Sequence, residues 1–326
     1  MGKLPFEKVK RKILTKVEAR TNSKYGEYPE KRSVENTISY GIVNLNKSEG
    51  PTSHQIGYYV KRVLKAKKVG HSGTLDPIVT GVLPIALGRA TRIVQTLLTA
   101  GKEYICLMRL HKPVDKIKIK KVFLKFTGKI KQMPPVKSAI KRQLREREIY
   151  YLKILEIDKQ DVLFKIGCEA GTYIRKFCHD IGQNLGVGAN MKQLIRTKAG
   201  PFTDETWHSL HDLKDAYEFW KEGNEKEIRK IVLPMEKAIE HLPKIWVFDT
   251  TVNALCHGAD LYVRGISKLN DKIKENELTA ILTLKNELVC LSTSKMTSQE
   301  ILKAEKEVAA KTKKVFMKID TYLKKD

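Results

Sequence analysis

Apolar residues along the chain switch between a strand-like period of two and a helical period near 3.6, which predicts a fold that mixes both elements. Residues 40–47 alternate enough to predict a strand, and Gly50-Pro51 ends it. Residues 54–64 predict a helix, because their apolar side chains fall on one helical face. Residues 105–110 predict a further strand.

The middle of the chain continues this alternation of elements. Residues 116–126 have the spacing of an amphipathic helix, which Gly128 should end. Residues 149–157 and 162–168 read as two strands joined by a polar turn, which predicts a hairpin. Residues 174–185 then predict a helix with an apolar face.

The C-terminal part predicts short strands followed by a helix. The strands are expected at residues 278–284 and 288–293, around a turn at Asn286. Thr297 and Glu300 have the spacing of a capping box, so a helix should begin there.

The length of 326 residues exceeds what one hydrophobic core usually supports, so about two domains are expected. The prolines before residue 244 suit an interdomain passage, and we expect a first domain at 37–243 and a second at 244–326. Residues 1–36 carry ten basic against five acidic residues and form a basic arm, either disordered or docked; docking is favoured. The predicted fold class is α+β.

The charge of the chain indicates a polyanionic partner. Lys and Arg total 62 against 37 acidic residues, a net charge of +25, which favours nucleic acid over a membrane surface. Residues 112–147 alone contribute +11. Within them, Pro134-Pro135 bars a helix start, so the basic residues that follow are expected on a loop that contacts phosphates.

The five cysteines form no CxxC pair and no zinc-like spacing, so neither a disulfide framework nor a metal site is indicated, and a reducing cytosol fits best. No signal-peptide core and no uncharged apolar run of 18 residues occurs, so a soluble protein is expected.

The stretch GHSGTLDPIVTGVLPIALGRATR, residues 70–92, holds the candidate catalytic residue. Asp76 precedes Pro77, which favours an extended or turn conformation, and Gly73 permits a positive φ just upstream. An Asp-Pro pair alone is usually only a turn. The whole string, however, resembles the catalytic motif of the TruB and dyskerin families of pseudouridine synthases. The resemblance implies that Asp76 attacks the target nucleoside and that His71 helps to hold the remodelled RNA.

Two further strings support the resemblance. In GKEY, the family's lysine-x-tyrosine motif implies that Tyr104 stacks on the uracil and takes part in proton transfer, with Lys102 at the substrate pocket. GTYIRKFCHDIG resembles the family's third motif, whose tyrosine and arginine, here Tyr173 and Arg175, line the uridine pocket. A guanidinium beside Asp76 would also keep that carboxylate ionised in a dry pocket.

A fourth string, GANMKQLIRTKAGPF, resembles a family stretch in which Leu194 is the apolar pocket residue and Arg196 a second, RNA-binding arginine. Ile195 stands where another arginine is usual, and Asn190 where a histidine is common. The basic loop resembles the dyskerin thumb loop, placed at about residues 134–148. Its expected RNA contacts are Lys137, Lys141, Arg142 and Arg145.

The C-terminal domain resembles a PUA domain, a compact β-barrel-like RNA-binding module. In the string CHGAD, the resemblance implies RNA contacts at His257, Gly258 and Ala259, although Thr250-Thr251 and Arg264 differ from common family choices. Together, the resemblance implies a mixed-sheet pseudouridine synthase domain followed by a PUA domain.

The implied activity is the isomerisation of uridine to pseudouridine in rRNA and possibly tRNA, by the catalytic subunit of an archaeal box H/ACA ribonucleoprotein. Its partners would be guide RNA, substrate RNA and small proteins of the Nop10, Gar1 and L7Ae types, with no membrane, no cofactor and no metal. The location would be cytoplasmic, or nucleolar in a eukaryote. Two alternatives stay open: a stand-alone tRNA pseudouridine synthase, and a non-catalytic RNA-binding scaffold.

Overall fold

The computed structural model describes residues 2–134 and 143–322. Within them the α-helices are α1 (Val34–Tyr40), α2 (Ser53–Val63), α3 (Val94–Thr99), α4 (Lys116–Lys125), α5 (Ile174–Leu185), α6 (Leu210–Lys221), α7 (Lys226–Ile231), α8 (Asp249–Cys256) and α9 (Ser298–Lys303). The strands are β1 (Ile13–Thr15), β2 (Gly41–Lys47), β3 (Val69–His71), β4 (Thr80–Leu87), β5 (Lys102–Leu110), β6 (Gly128–Gln132), β7 (Arg145–Asp158), β8 (Asp161–Cys168), β9 (Ala189–Ala199), β10 (Phe202–Thr203), β11 (Val232–Pro234), β12 (Lys244–Val247), β13 (Leu261–Tyr262), β14 (Ile266–Asn270), β15 (Leu278–Thr283), β16 (Leu288–Ser294) and β17 (Val308–Val315).

A mixed sheet of ten strands organises the first domain. Its strand order is β11-β2-β4-β9-β5-β8-β7-β6, with β3 paired to β4 and β10 to β9. The β4 and β9 strands are parallel, whereas β5 is antiparallel to both of its neighbours. Helices α2, α4 and α5 contribute buried apolar residues to the core on this sheet, among them Val60, Phe123 and Phe177.

A second sheet of seven strands organises the C-terminal domain, in the order β1-β14-β12-β15-β16-β17-β13. Its edge strand β1 comes from the N-terminal arm, and Ile13 pairs with Asn270. The capping box at Thr297 and the turn at Asn286, which has φ 68°, occur as the sequence predicts. The α+β, mixed-sheet fold class is confirmed.

The basic arm is docked along both domains. Leu4 is fully buried, and the Lys198 ammonium forms an ion pair with Glu7 at 2.6 Å. Farther along, the Lys16 ammonium donates to the carbonyls of Ile301, Leu302 and Ala304 at the end of α9. The arm is therefore part of the folded structure and adds one strand to the second sheet.

The two sheets share one apolar cluster. It joins residues of the first domain, such as Ala90, Ile93 and Leu97, to Trp246 and Phe316 of the second. Because close-packed interiors resist deformation, this shared core fixes how the domains meet.

The elements predicted within residues 105–185 occur, but strands β4, β6 and β9 were not predicted. Helix α1 was not anticipated, and β7 begins at Arg145, so the last residues of the predicted thumb loop lie in a strand. Of the proposed loop contacts, Lys137, Lys141 and Arg142 fall outside the described residues, while Arg145 pairs with Gln132. No helix in the described ranges is long and apolar enough to cross a membrane.

Candidate active site

Asp76 is displayed on a tight loop between β3 and β4. Gly73 has φ 108°, a backbone conformation that suits glycine, and the Val79 N–H donates to the Asp76 carbonyl at 3.0 Å to close a turn. Upstream, the Leu75 N–H donates to the Ser53 hydroxyl at 2.8 Å. The loop is thus tied to helix α2, and its carboxylate points away from the core with about half of its surface exposed.

A buried lysine holds the other side of this loop. The Lys47 ammonium donates hydrogen bonds of 2.9 Å to the carbonyls of Ser48, Pro77 and Val79. Burial lowers the pKa of Lys47, and the Asp76 carboxylate is close enough to oppose that effect. The sequence alone does not single out Lys47, because its partners are identified only by the folded loop.

Arg175 forms an ion pair with Asp76, as the sequence argument requires. Arg175 is the second residue of α5, and Tyr173 is the residue that precedes the helix. The side chains of Arg175 and Asp76 are 53% and 51% exposed. The pair is therefore open to solvent in the protein alone, and the dry pocket assumed from the sequence would need RNA to cover it.

Tyr104 and Leu194 lie on the same face of the sheet, and Tyr104 is near Asp76. Tyr104 on β5 is half-buried and stands opposite Arg196 on β9, and Leu194 stands opposite Cys106. Burial raises the pKa of Tyr104, the neighbouring Arg196 guanidinium opposes that rise, and the Asp76 carboxylate adds to it. The phenol is therefore protonated at neutral pH and can donate a hydrogen bond.

Arg196 is not the RNA contact that the resemblance implies. Its side chain is 1% exposed, its Nε donates to the Val82 carbonyl at 2.7 Å, and its Nη2 donates to the Gly73 carbonyl at 3.3 Å. Burial lowers the pKa of Arg196. The guanidinium thus links β9 to β4 and to the Asp76 loop from a buried position, where it is not accessible to RNA.

Lys102 is likewise a buried structural residue and does not line a substrate pocket. It is 6% exposed, and its ammonium donates to the carbonyls of Leu97, Leu98 and Ala100. These carbonyls are the free acceptors at the end of α3, so Lys102 caps that helix. Burial lowers the pKa of Lys102 to about 8.

Gln132 is a second residue that sequence reasoning missed. This last residue of β6 is 2% exposed. Its side-chain oxygen accepts from the Tyr173 N–H at 3.1 Å, and its amide nitrogen donates to the Tyr173 carbonyl at 3.3 Å. Gln132 therefore fixes the backbone at the residue before α5, two positions before Arg175. Nothing in the sequence around it indicates this role.

His71 lies at the end of β3, paired with Ile85 of β4, and is half-buried. Burial lowers the pKa of His71, so the imidazole is neutral at pH 7. Its Nδ1 is buried without a hydrogen-bond partner among the described residues.

The residues that depart from the family pattern face outward. Ile195 is 38% exposed on β9, and Asn190 is also exposed on that strand. An arginine in place of Ile195 would therefore point to solvent.

The C-terminal candidates His257, Gly258 and Ala259 are exposed just after α8. Gly258 has φ 89°, which suits glycine. The Ala259 carbonyl accepts a hydrogen bond of 2.7 Å from the Thr312 hydroxyl, so the segment is held against β17.

No group of three or more His, Cys, Asp or Glu residues that could hold a metal ion occurs in residues 2–134 or 143–322.

Four known domains match successive parts of the chain. They are the DKCLD (NUC011) domain at residues 2–57, the N-terminal domain of TruB family pseudouridylate synthases at 61–174, the tRNA pseudouridylate synthase B C-terminal domain at 175–240, and the PUA domain at 243–316.

Full-length relatives match across nearly the whole chain. The probable tRNA pseudouridine synthase B of Pyrococcus abyssi is 55% identical over 319 residues, covering 97% of this chain and 96% of the relative. That of Methanosarcina barkeri is 53% identical over 324 residues, covering 99% and 96%.

Chains in solved structures are also similar to this chain over nearly its whole length. A chain from a Cbf5-Nop10-Gar1 complex superposes with a TM-score of 0.93 at 54% identity, covering 98% of each chain. A chain from an H/ACA RNP bound to a substrate RNA containing 2′-deoxyuridine superposes with a TM-score of 0.92 at 52% identity, covering 99% of each.

Proposed function

Because the chain belongs to the TruB family of pseudouridylate synthases, we propose that it isomerises uridine to pseudouridine in RNA as the catalytic subunit of a box H/ACA guide ribonucleoprotein. The observation that carries the proposal is the ion pair of Asp76 and Arg175, with Tyr104 beside it. A non-catalytic scaffold would have no need of a carboxylate held on a rigid loop against a guanidinium.

The reaction breaks the bond from ribose C1′ to uracil N1 and makes a bond from C1′ to C5, so no atom is gained or lost overall. A base stacked in a helix is out of reach, and the target must first be flipped out. Asp76 then attacks or assists at the ribose, while the Arg175 guanidinium compensates its negative charge. The protonated Tyr104 stacks on the uracil and takes part in the proton transfer.

The other site assignments follow from where the side chains lie. His71 and Tyr173 would contact the flipped nucleotide, with the neutral imidazole of His71 available for a hydrogen bond. Leu194, which is only 8% exposed, would form the apolar wall behind that pocket. Lys102 and Arg196 support the site from within the core. We further propose RNA contacts for Arg145, for Lys137, Lys141 and Arg142, which lie outside the described residues, and for the segment 257–259. We also propose domain bounds of 37–243 and 244–326, which the division of the strands into two sheets supports, with the arm joining the second sheet through β1.

The expected partners are a guide RNA and small proteins of the Nop10, Gar1 and L7Ae types, because chains 52–54% identical to this one occur in complexes named for Nop10, Gar1 and H/ACA RNP. Guide pairing would then select the uridine. A cytoplasmic location accords with the archaeal relatives.

A stand-alone activity on tRNA is the second candidate, since the relatives are named for tRNA pseudouridine synthase B. Both candidates need Asp76, and they differ in the need for a guide. Pseudouridine formation should be assayed on naked tRNA with the protein alone, and on a guide-paired target with the assembled complex. Asp76→Asn should abolish turnover in either case and leave RNA affinity within about tenfold of wild type, because phosphate contacts dominate affinity. Measurable turnover by this variant would remove Asp76 from catalysis.

A further inference from the structure

A buried carboxylate lies next to Tyr104 in the chain. Glu103 of β5 is 3% exposed and immediately precedes that tyrosine. Neighbouring side chains of a strand point to opposite faces of the sheet, so Glu103 does not enter the candidate active site itself. A carboxylate is almost never buried so completely unless it is paired, and the partners of Glu103 therefore indicate its role.

Side chains from three other strands converge on this carboxylate. The Tyr151 hydroxyl of β7 donates a hydrogen bond to Oε2 of Glu103, and the Thr197 hydroxyl of β9 donates to Oε1 at 2.8 Å. The Lys165 ammonium of β8 lies 3.5 Å from Oε1. Burial and the hydrogen bond to Glu103 raise the pKa of Tyr151, so its hydroxyl stays protonated and donates. Glu103 thus links β5 to β7, β8 and β9.

Tyr151 reaches Glu103 across an intervening strand. Strand β8 lies between β7 and β5, and its Gly167 pairs with Glu103 on one side and with Tyr151 on the other. A Cβ atom at Gly167 would lie 2.2 Å from the Tyr151 ring, so the ring crosses β8 at a position that has no side chain. Gly2 of the docked arm packs as closely, since a Cβ atom there would lie 2.3 Å from the ring. This packing fixes the direction of the Tyr151 hydroxyl.

Thr197 is the extra residue of a β-bulge. Glu103 of β5 pairs with Lys198 of β9. The next pair is Tyr104 with Arg196, so β9 has one residue more than β5 at this point, Thr197. Bulges change the direction of nearby side chains and are frequent beside active sites. Because the hydroxyl of the bulged residue binds Glu103, the carboxylate fixes the register that places Tyr104 opposite Arg196.

We propose that Glu103, held by Tyr151, is a positioning residue for Tyr104: it fixes the bulge at Thr197 and thereby the place of the phenol in the active site. The inference rests on the proposed function, in which Tyr104 stacks on the uracil and takes part in proton transfer. A misplacement of about 1 Å in a catalytic site can cost about 100-fold in rate. Loosening the bulge should therefore slow the chemical step and leave RNA binding intact.

Two variants that keep the size of the side chain test this role. Tyr151→Phe removes the hydroxyl that holds Glu103, and Thr197→Val removes the hydroxyl of the bulged residue. Each should slow single-turnover pseudouridine formation in the assembled complex by about tenfold and change RNA affinity by less than about twofold. Glu103→Gln still offers an acceptor oxygen and should be less impaired than Glu103→Leu.

Tyr322→Phe is the matched control. The Tyr322 hydroxyl donates to the buried Glu287 carboxylate at 2.6 Å, and the Thr283 hydroxyl donates to the same carboxylate at 3.1 Å. Tyr322 belongs to the apolar core of the C-terminal domain, whereas Tyr104 packs against the core of the first. The control should lose as much unfolding free energy in urea as Tyr151→Phe and keep its rate within about twofold of wild type.

Rates within about twofold of wild type in both Tyr151→Phe and Thr197→Val overturn the inference. An equally slow Tyr322→Phe also overturns it, because lower stability would then account for the effect. A loss of RNA affinity as large as the loss of rate would assign these residues to binding and overturn it too. Pseudouridine formation by the wild-type complex is measured in parallel, so that failure of the proposed activity is distinguished from failure of the positioning role.

Discussion

Replacing Arg196 by methionine separates a structural from an RNA-binding role for this residue. The variant keeps the unbranched stem of the side chain but removes the donors to the carbonyls of Val82 and Gly73. Since Gly73 belongs to the loop that displays Asp76, the change should loosen the support of the catalytic carboxylate.

The magnitude follows from the two hydrogen bonds that the variant cannot make. A hydrogen bond to a charged group contributes about 1.5 to 3 kcal/mol, and the carbonyls left behind are buried. Part of this destabilisation is offset because the buried guanidinium no longer has to be desolvated, the effect that lowers the pKa of Arg196. We therefore expect a decrease of about 2 to 4 kcal/mol in unfolding free energy.

Three measurements on the Arg196→Met variant distinguish a structural role from an RNA-binding role. Urea unfolding should show the lower stability, and single-turnover pseudouridine formation in the assembled complex should slow. The salt slope of guide-RNA affinity, which is the slope of log affinity against log salt, should not change, because Arg196 meets no phosphate. Lys159→Gln, at an exposed position in the turn between β7 and β8, is the control and should change neither the stability nor the slope. If Arg196→Met flattened the slope and left stability unaltered, Arg196 would be an RNA contact after all.

Three further predictions test other buried or docked residues. Gln132→Leu removes both hydrogen bonds to Tyr173 and should lower the single-turnover rate more than the RNA affinity. Gln132→Glu keeps the acceptor for the Tyr173 N–H and should be less impaired. Equal effects on rate and affinity would contradict a positioning role for Gln132. Burial lowers the pKa of His241 to about 4 in the folded protein. Between pH 4 and 6.5 the unfolded chain therefore binds more protons than the folded chain. The unfolding free energy should fall by up to about 3 kcal/mol as the pH falls through that window. His241→Leu should flatten this dependence in urea unfolding, and an unchanged pH profile would exclude His241 as its source. Lys16→Met should cost about 1 to 2 kcal/mol by freeing the α9 carbonyls, whereas Lys12→Met, whose ammonium forms no described hydrogen bond, should cost nothing measurable.

Much of the secondary structure was predictable because its signals are local. Helix α4 begins at the Asp115 cap and ends near Gly128, and the hairpin of β7 and β8 turns at the polar residues between them. The arm is different. Strand β1 is three residues long and pairs with Asn270 and its neighbours more than 250 residues later, so no local pattern could reveal it.

Within the candidate active site, a sequence motif can identify a functional residue, but it does not show how exposed the side chain is. Asp76 and Arg175 were found because their chemistry requires each other, and the fold brings them together from 99 positions apart.

Lys102 and Arg196 were misassigned because a basic residue in an RNA-binding family is naturally read as facing RNA. For Arg196, the alternation of side chains between the two faces of β9 indicated the buried position. Arg196 lies two positions from Leu194, on the same face of the strand, and that face is buried.

Lys47 and Gln132 offered no such signal. The acceptors that justify a buried amine or amide are backbone carbonyls, and every residue carries one. Which carbonyls are left free depends on how the Asp76 loop and the start of α5 pack, and that is decided by tertiary structure. Residues that support a catalytic loop by binding its backbone are therefore found by tracing hydrogen bonds in the fold, whereas the residues that react can be recognised from the chemistry of the sequence.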